Sequence, residues 1–347
     1  MQGKEPVFYS FTREMKKIKL VIVGLGVIGK GFIRILLGKK EFLMKKGLDL
    51  EVVALCEVDG SIVSDEGINL KKTLELAGRG ELDKHKQWSN SKSVEILGEV
   101  KADIVLELTP GNIENGEPGY SHIKGALKNG MHVVTSNKPP IALHYRELHE
   151  LARGENLELR YEAAVGGAIP ILNLHQKCLQ INEVESIYGI LNGTTNYVLS
   201  KMVEDGLSLE NALNEAKELG IAEQDPSYDI DGVDTALKVV ILANSILDMN
   251  VEFGGMKIRG IRDVTPESVE LAKKHGYVIK LIGDVRRMEV SPRLIPVDHP
   301  LNVSDSLNAV MIDSDVAGEL TLIGYGAGAR ETSSSIYSDV IEIAEGI

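Results

Sequence analysis

The chain has 347 residues, enough for two domains at roughly 100–200 residues each. Aromatic residues make up only 5% while there are 35 glycines, which favours a fold rich in tight backbone turns over an aromatic-lined sandwich. A formal net charge of −13 repels phosphate backbones and anionic lipid, so neither nucleic acid nor a membrane surface is expected as a partner.

Residues 1–17 hold no apolar core followed by a small-residue cleavage site and read as a flexible tail, not a secretory signal. Residues 18–23 (IKLVIV) form an apolar, β-branched run closed by glycine, which predicts a buried parallel strand. Helical spacing follows over 27–37. Residues 51–56 (EVVALC), 103–108 (DIVLEL), 132–135 (HVVT) and 157–161 predict further strands, with helices over 121–128 and 141–153. This alternation predicts an α/β domain over 18–161, a doubly wound, Rossmann-type parallel sheet with helices on both faces. The apolar run 20–29 ends at Lys30 and is too short to span a membrane.

After Glu162 the pattern changes. A strand at 185–191 precedes helices at 196–204 and 209–219, the second stopped by Gly220, and an amphipathic helix at 233–247. Alternating segments at 277–285, 288–297, 309–313 and 319–323 predict antiparallel strands, so 162–323 reads as an α+β substrate and catalytic domain. A final helix at 330–344 is expected to pack back on the first domain, which 324–347 completes. Cys56 and Cys178 form no CxxC motif and no disulfide framework, which fits a reducing cytoplasm.

Five motifs bear on chemistry. Gly24-Leu25-Gly26-Val27-Ile28-Gly29 follows a strand and opens a helix, the context in which glycines let a backbone approach a pyrophosphate. Glu57 and Asp59 stand past the second strand, where a carboxylate binds ribose hydroxyls and favours NAD; no Lys or Arg follows until Lys71 and Lys72, although Lys39 and Lys40 could approach from elsewhere and admit NADP. Thr135-Ser136-Asn137-Lys138-Pro139-Pro140 ends a strand, where open α/β sheets place ligands. Residues 162–170 (EAAVGGAIP) suggest exposed backbone at a domain junction, either a hinge or a set of carbonyls for a hard monovalent cation. Asn192-Gly193-Thr194-Thr195-Asn196 precedes a helix, serving as an N-cap, a carboxylate site, or both.

The fifth motif spans 223–238 (EQDPSYDIDGVDTALK), five carboxylates before one lysine. Asp234 and Lys238 are spaced i, i+4 and share a helix face. On an exposed helix such a pair is a surface salt bridge of little consequence. Beside a cleft it is an acid/base pair. No HExxH, Walker A or GxSxG is present, the histidines show no ligand spacing, and neither cysteine is placed as a nucleophile.

Together these motifs resemble the homoserine dehydrogenase family in its short, monofunctional form. The likeness rests on GLGVIG, TSNK, YEAAVGGAIPI, GILNGTTNYVL, LGIAEQDPSYDIDGVDTALK and GYGAGARETSSSIYSDV, and runs from Ile18 to the last helix. The resemblance implies reversible NAD(P)-dependent reduction of L-aspartate-4-semialdehyde to L-homoserine, in a cytoplasmic homodimer that feeds threonine, methionine and isoleucine synthesis. Gly24 and Gly26 to Gly29 would hold the pyrophosphate, with Thr109, Ser136, Lys138 and Gly328 on the nicotinamide side. Glu223 and Asp229 match positions that bind the substrate ammonium, and Gly193 and Thr194 those near its carboxylate. Asp234 and Lys238 match the catalytic pair, with Lys138 as the second candidate proton donor. Glu162, with carbonyls of Val165, Gly167 and Ile169, matches a site for sodium or potassium. The alternatives are a related Rossmann-domain reductase, which would not need NGTTNY or the acidic cluster, and a non-catalytic ligand sensor, which would not need Asp234 and Lys238.

Overall fold

A computed structural model describes residues 15–347; most of the expected tail, residues 1–14, lies outside the described residues. Strand β1 (Lys16–Val23) begins two residues earlier than its apolar run, because main-chain pairing with β2 (Leu48–Glu57) extends through Lys16 and Lys17. Its second half is buried on both faces, as expected of a central parallel strand. The helix Val27–Lys45 crosses over to β2, which pairs parallel with β1. On the other side of β1 lies β5 (Ile104–Glu107), followed by β6 (His132–Thr135) and β7 (Leu159–Arg160), all parallel.

The sheet is mixed, not purely parallel. Beyond β2 the strands β3 (Gly60–Val63) and β4 (Trp88–Ser89) pair antiparallel and complete the order β4-β3-β2-β1-β5-β6-β7. Neither continues the strand–helix alternation by which the equally short β5 and β6 are read. The helix expected over 141–153 is two helices, Lys138–Leu143 and Tyr145–Gly154, because His144 leaves helical geometry (φ −127°, ψ 29°). Pro139 and Pro140 start the first of them, where a missing N–H has no helical acceptor to lose.

The second sheet has the order β13-β12-β8-β10-β11-β9. Its strands are β8 (Val184–Ile190), β9 (Lys257–Ile258), β10 (Tyr277–Asp284), β11 (Glu289–Pro296), β12 (Leu307–Ser314) and β13 (Gly318–Tyr325). All pairings are antiparallel except β9 with β11. The helix Val233–Ser245 lies against this sheet where Gly283 leaves room for it: a Cβ there would stand 2.8 Å from Val239 and 2.9 Å from Thr235. The spacing predicts an amphipathic helix, but every residue from Asp234 to Asn244 is buried, so its charged members sit in the interior.

The last helix, Ala329–Gly346, returns to the first domain along Val27–Lys45. Phe32 and Tyr337 stack at 4.2 Å, and the Tyr337 hydroxyl donates to the Phe32 carbonyl at 2.8 Å. Near its far end Asp339 meets the 162–173 segment, accepting bonds from Glu162 N (3.1 Å) and Asn173 Nδ2 (3.4 Å). Burial, reinforced by the Glu162 charge, pushes the Asp339 carboxyl up to about 7 from the ordinary 3.8. The folded state therefore binds this proton more tightly than the unfolded chain. Its contribution is complete below the unfolded value and is lost as pH rises through about 7. Thermal melts from pH 5 to 8 should show that decline in the wild type, and Asp339→Asn should flatten it; an unchanged slope would assign the pH dependence elsewhere.

Candidate active site

β1 lies between β2 and β5, so the chain leaves its carboxyl end in one direction and its neighbours in the other, which opens a crevice at that point. A cleft of about 1560 Å³ occupies it and extends to the second domain. Gly24 to Ile28 form its first wall. Gly24 takes φ +98°, and a Cβ there would stand 2.8 Å from the Leu108 carbonyl. At Gly26 a Cβ would meet nothing within 4 Å, so the main chain of the turn is open to a ligand. Gly29 lies behind the turn: a Cβ there would be 2.3 Å from the Gly24 carbonyl, and the residue serves the tightness of the bend.

Glu57 lines the cleft at the end of β2, with its carboxylate accepting the Leu25 amide. Lys39 does not approach; it lies over the Phe42 ring, 5.9 Å from the centroid. The cations at this end are Lys30 and Lys92, and Lys92 Nζ donates to the Val58 carbonyl at 2.8 Å. Nothing in the sequence marked Lys92, which reaches the cleft from the start of a separate helix. Thr109, Ser136, Lys138 and Gly328 also line the cavity. Cys56 is buried, and burial pushes its thiol up to about 11, so no cysteine nucleophile is available there.

Across the cleft stand Gly193, Thr194, Glu223, Asp229, Asp234 and Lys238. Asp234 and Lys238 are each only 6% exposed, which removes the surface salt bridge as a reading. Lys238 Nζ lies 2.8 Å from Asp234 Oδ2 and donates to the Leu191 carbonyl at 2.6 Å. Two of the three ammonium N–H groups are thereby committed, and the third is left for the cleft. Lys138 Nζ reaches Asp234 Oδ1 at 3.3 Å from the first domain. Asn192 Nδ2 ties the acids together, donating to Asp229 Oδ1 (2.7 Å) and Asp234 Oδ2 (2.9 Å). Its Oδ1 accepts from Thr195 N at 2.9 Å, so it caps the helix Gly193–Glu204 as well.

These contacts set the charges. Burial alone would raise Asp234, but the Lys238 and Lys138 ammonium groups outweigh it and hold the carboxyl well below the usual range. Asp229 is pushed up, by burial first and then by the Asp234 charge. The pKa values of two neighbouring carboxyl groups are thus driven apart, Asp234 down and Asp229 up.

The 162–169 turn lies beside this cleft. Ala163 and Ala164 line the cavity, whereas Glu162, Val165, Gly167 and Ile169 do not. Both Glu162 carboxylate oxygens are used by the chain: Leu172 N (3.0 Å), Asn173 N (2.6 Å) and Asn173 Nδ2 (2.7 Å) donate to them. Gly167 takes φ +58°, and its carbonyl accepts Ser335 Oγ at 2.5 Å. Among the described residues no group of three or more His, Cys, Asp or Glu side chains is placed to hold a metal ion.

A glycine-rich turn at a sheet switch point, sharing one cleft with a buried lysine–carboxylate pair, defines an NAD(P)-dependent oxidoreductase. Residues 24–162 match the family model for the NAD binding domain of homoserine dehydrogenase, and residues 170–341 match the homoserine dehydrogenase model. Homoserine dehydrogenase of Methanocaldococcus jannaschii is 48% identical over 328 residues, 93% of this chain and 98% of that protein. An NAD(+)-dependent homoserine dehydrogenase of Pseudomonas canavaninivorans is 35% identical, over 95% of this chain and 97% of its own. A hyperthermophilic archaeal homoserine dehydrogenase, solved with NADPH, superposes with a TM-score of 0.81 at 30% identity, over 96% of this chain and 99% of that one. The chain belongs to the homoserine dehydrogenase family.

Proposed function

We infer that this chain catalyses the reversible reduction of L-aspartate-4-semialdehyde to L-homoserine, a step of amino-acid biosynthesis leading to threonine, methionine and isoleucine. The observation that carries this reading is the Lys238 ammonium, fixed by Asp234 and Leu191 with one N–H left for the cleft. An aldehyde taking up hydride develops negative charge on oxygen, and Lys238 stabilises that oxygen and gives it a proton. Asp234 orients the lysine. Asp229 and Glu223 form the anionic pocket for the substrate ammonium. The main-chain N–H groups at Gly193 and Thr194, at the start of a 12-residue helix, suit its carboxylate.

The nicotinamide nucleotide supplies the hydride when bound. The open backbone at Gly26 fits its pyrophosphate, Glu57 its ribose, and Thr109, Ser136 and Gly328 the nicotinamide side. Glu57 favours NAD, while Lys30 and Lys92 offer charge to a 2′-phosphate. A sodium or potassium ion would rest on main-chain oxygens of Glu162, Val165, Gly167 and Ile169, since the Glu162 carboxylate is spent on amides. Two unpaired cysteines support a cytoplasmic location. Exposed Ile323 and Tyr325 on the edge strand β13 support a homodimer joined through the second sheet.

Purified protein should reduce NAD or NADP in the presence of L-homoserine at alkaline pH, read at the reduced-nicotinamide absorbance band, with kcat/KM for NAD at least comparable to NADP. A folded protein giving no absorbance change with either cofactor would refute the reaction.

A further inference from the structure

We propose that Glu107 is a positioning residue for the reaction inferred above, on which this assignment rests: its buried carboxylate locks Thr109 and the 135–138 turn together and so sets the cofactor-facing wall and Lys138. Glu107 ends the otherwise apolar strand β5 and is fully buried, with Val23 and Thr135 as its neighbours on β1 and β6. A carboxylate at the centre of a parallel sheet is costly unless its oxygens are bonded. A leucine would satisfy the strand; the polar choice has to be explained by what it holds.

It holds the ends of two strands. Oε1 accepts from Thr109 N at 3.2 Å and from the Thr109 hydroxyl, while the Thr135 hydroxyl shares its one proton between Oε2 (3.0 Å) and the Glu107 carbonyl (2.8 Å). Thr135 Oγ1 in turn accepts Asn137 N at 3.0 Å, and Asn137 Nδ2 points back to Thr109 Oγ1 at 3.4 Å. The four residues form a closed ring. His122 lies beside the carboxylate, its Nδ1 3.5 Å from Oε1 and its Nε2 2.6 Å from Ser93 Oγ. Packing leaves no slack: a Cβ at Gly111 would stand 2.3 Å from Asn137 Oδ1, and one at Gly119 2.6 Å from Asn137 Nδ2.

The ring reaches the cleft through Thr109 and Asn137, and Asn137 is followed by Lys138, whose ammonium meets Asp234 of the other domain at 3.3 Å. The carboxylate is the only side chain of its length that accepts on both oxygens at once; an amide has one acceptor oxygen and turns a donor toward a hydroxyl or an N–H. A misplacement of about 1 Å this far from the chemistry can cost up to about 10²-fold.

A double-mutant cycle with Glu107→Gln and Thr109→Val tests this, read by kcat, by KM for each substrate, and by the Kd of reduced cofactor from fluorescence titration. Glu107→Gln should weaken cofactor binding and lower kcat, together by about 10–10²-fold in kcat/KM, with KM for the semialdehyde unchanged. Thr109→Val should reproduce the weaker cofactor binding, and the double variant should be no worse than Glu107→Gln alone, because both remove one linked unit. Wild-type Kd and kcat in a folded Glu107→Gln protein, with only a lower melting temperature, would reduce Glu107 to a stabilising residue. So would additive losses in the cycle. If Glu107→Gln does not fold, the half-buried Thr109→Val decides alone, and wild-type constants there overturn the proposal. A wild-type chain that binds reduced cofactor but turns over no homoserine would sink the reaction reading instead, and the Kd arm would still judge Glu107.

Discussion

Lys238→Ala is expected to lower kcat by about 10²–10⁴-fold, the usual worth of a general acid, and to leave cofactor binding intact. The lysine stands across the cleft from the Gly24–Ile28 turn, on the helix Val233–Ser245, where its partners are Asp234 and the Leu191 carbonyl. Lys138→Ala is the matching control. Lys138 shares the other oxygen of Asp234 and has no further bond among the described residues, so it is the alternative donor. A larger loss of kcat in Lys138→Ala than in Lys238→Ala, at unchanged substrate binding, would move the proton donor to Lys138. Near-wild-type rates in both would make the cluster structural.

Asp234→Asn is expected to damage both rate and stability. It leaves two ammonium groups facing an uncharged amide in a site where Asp234 and Lys238 are almost wholly buried. Removing one partner of a buried pair typically costs about 3–5 kcal/mol, because the remaining charge is desolvated and uncompensated. The pH dependence has a definite sign. Asp234 is held well below its ordinary 3.8 in the folded state, so its contribution is present above that value and is lost only as pH falls toward the folded one. Wild-type protein should lose this stabilisation in strongly acid solution, whereas Asp234→Asn should lack it throughout. Chemical denaturation at neutral pH and in acid checks both; an unaltered midpoint at neutral pH would mean the lysines are neutralised by other groups.

The local features were legible in the sequence because each depends on a short stretch of chain. The β-branched run before Gly24 predicts β1, and the glycine turn predicts the entry to the next helix. The i, i+4 spacing puts Asp234 and Lys238 on one face whatever the helix packs against, since helix geometry needs no tertiary partner. The cap at Asn192 is local in the same way. The strands β3 and β4 escape because neither stands in the strand–helix alternation by which the equally short β5 and β6 are read.

What the tertiary structure alone decided is everything that depends on separate segments meeting. Periodicity predicts one polar face for the helix Val233–Ser245; the sheet and neighbouring helices bury it all round, and this turns a surface salt bridge into a buried ion pair beside the cleft. Lys138 meets Asp234 only because β6 ends and that helix begins at the same cleft. Asn192 reaches both Asp229 and Asp234 for the same reason. Glu107 looks in sequence like one polar residue in a strand, and it becomes the hub of a ring only when β5 and β6 lie side by side. Lys92, and not Lys39, stands at the Glu57 end of the cleft because its helix start is folded against the end of β2. Residue spacing encodes dihedral periods, whereas burial, desolvation and charge pairing are set by distances between segments remote in the chain.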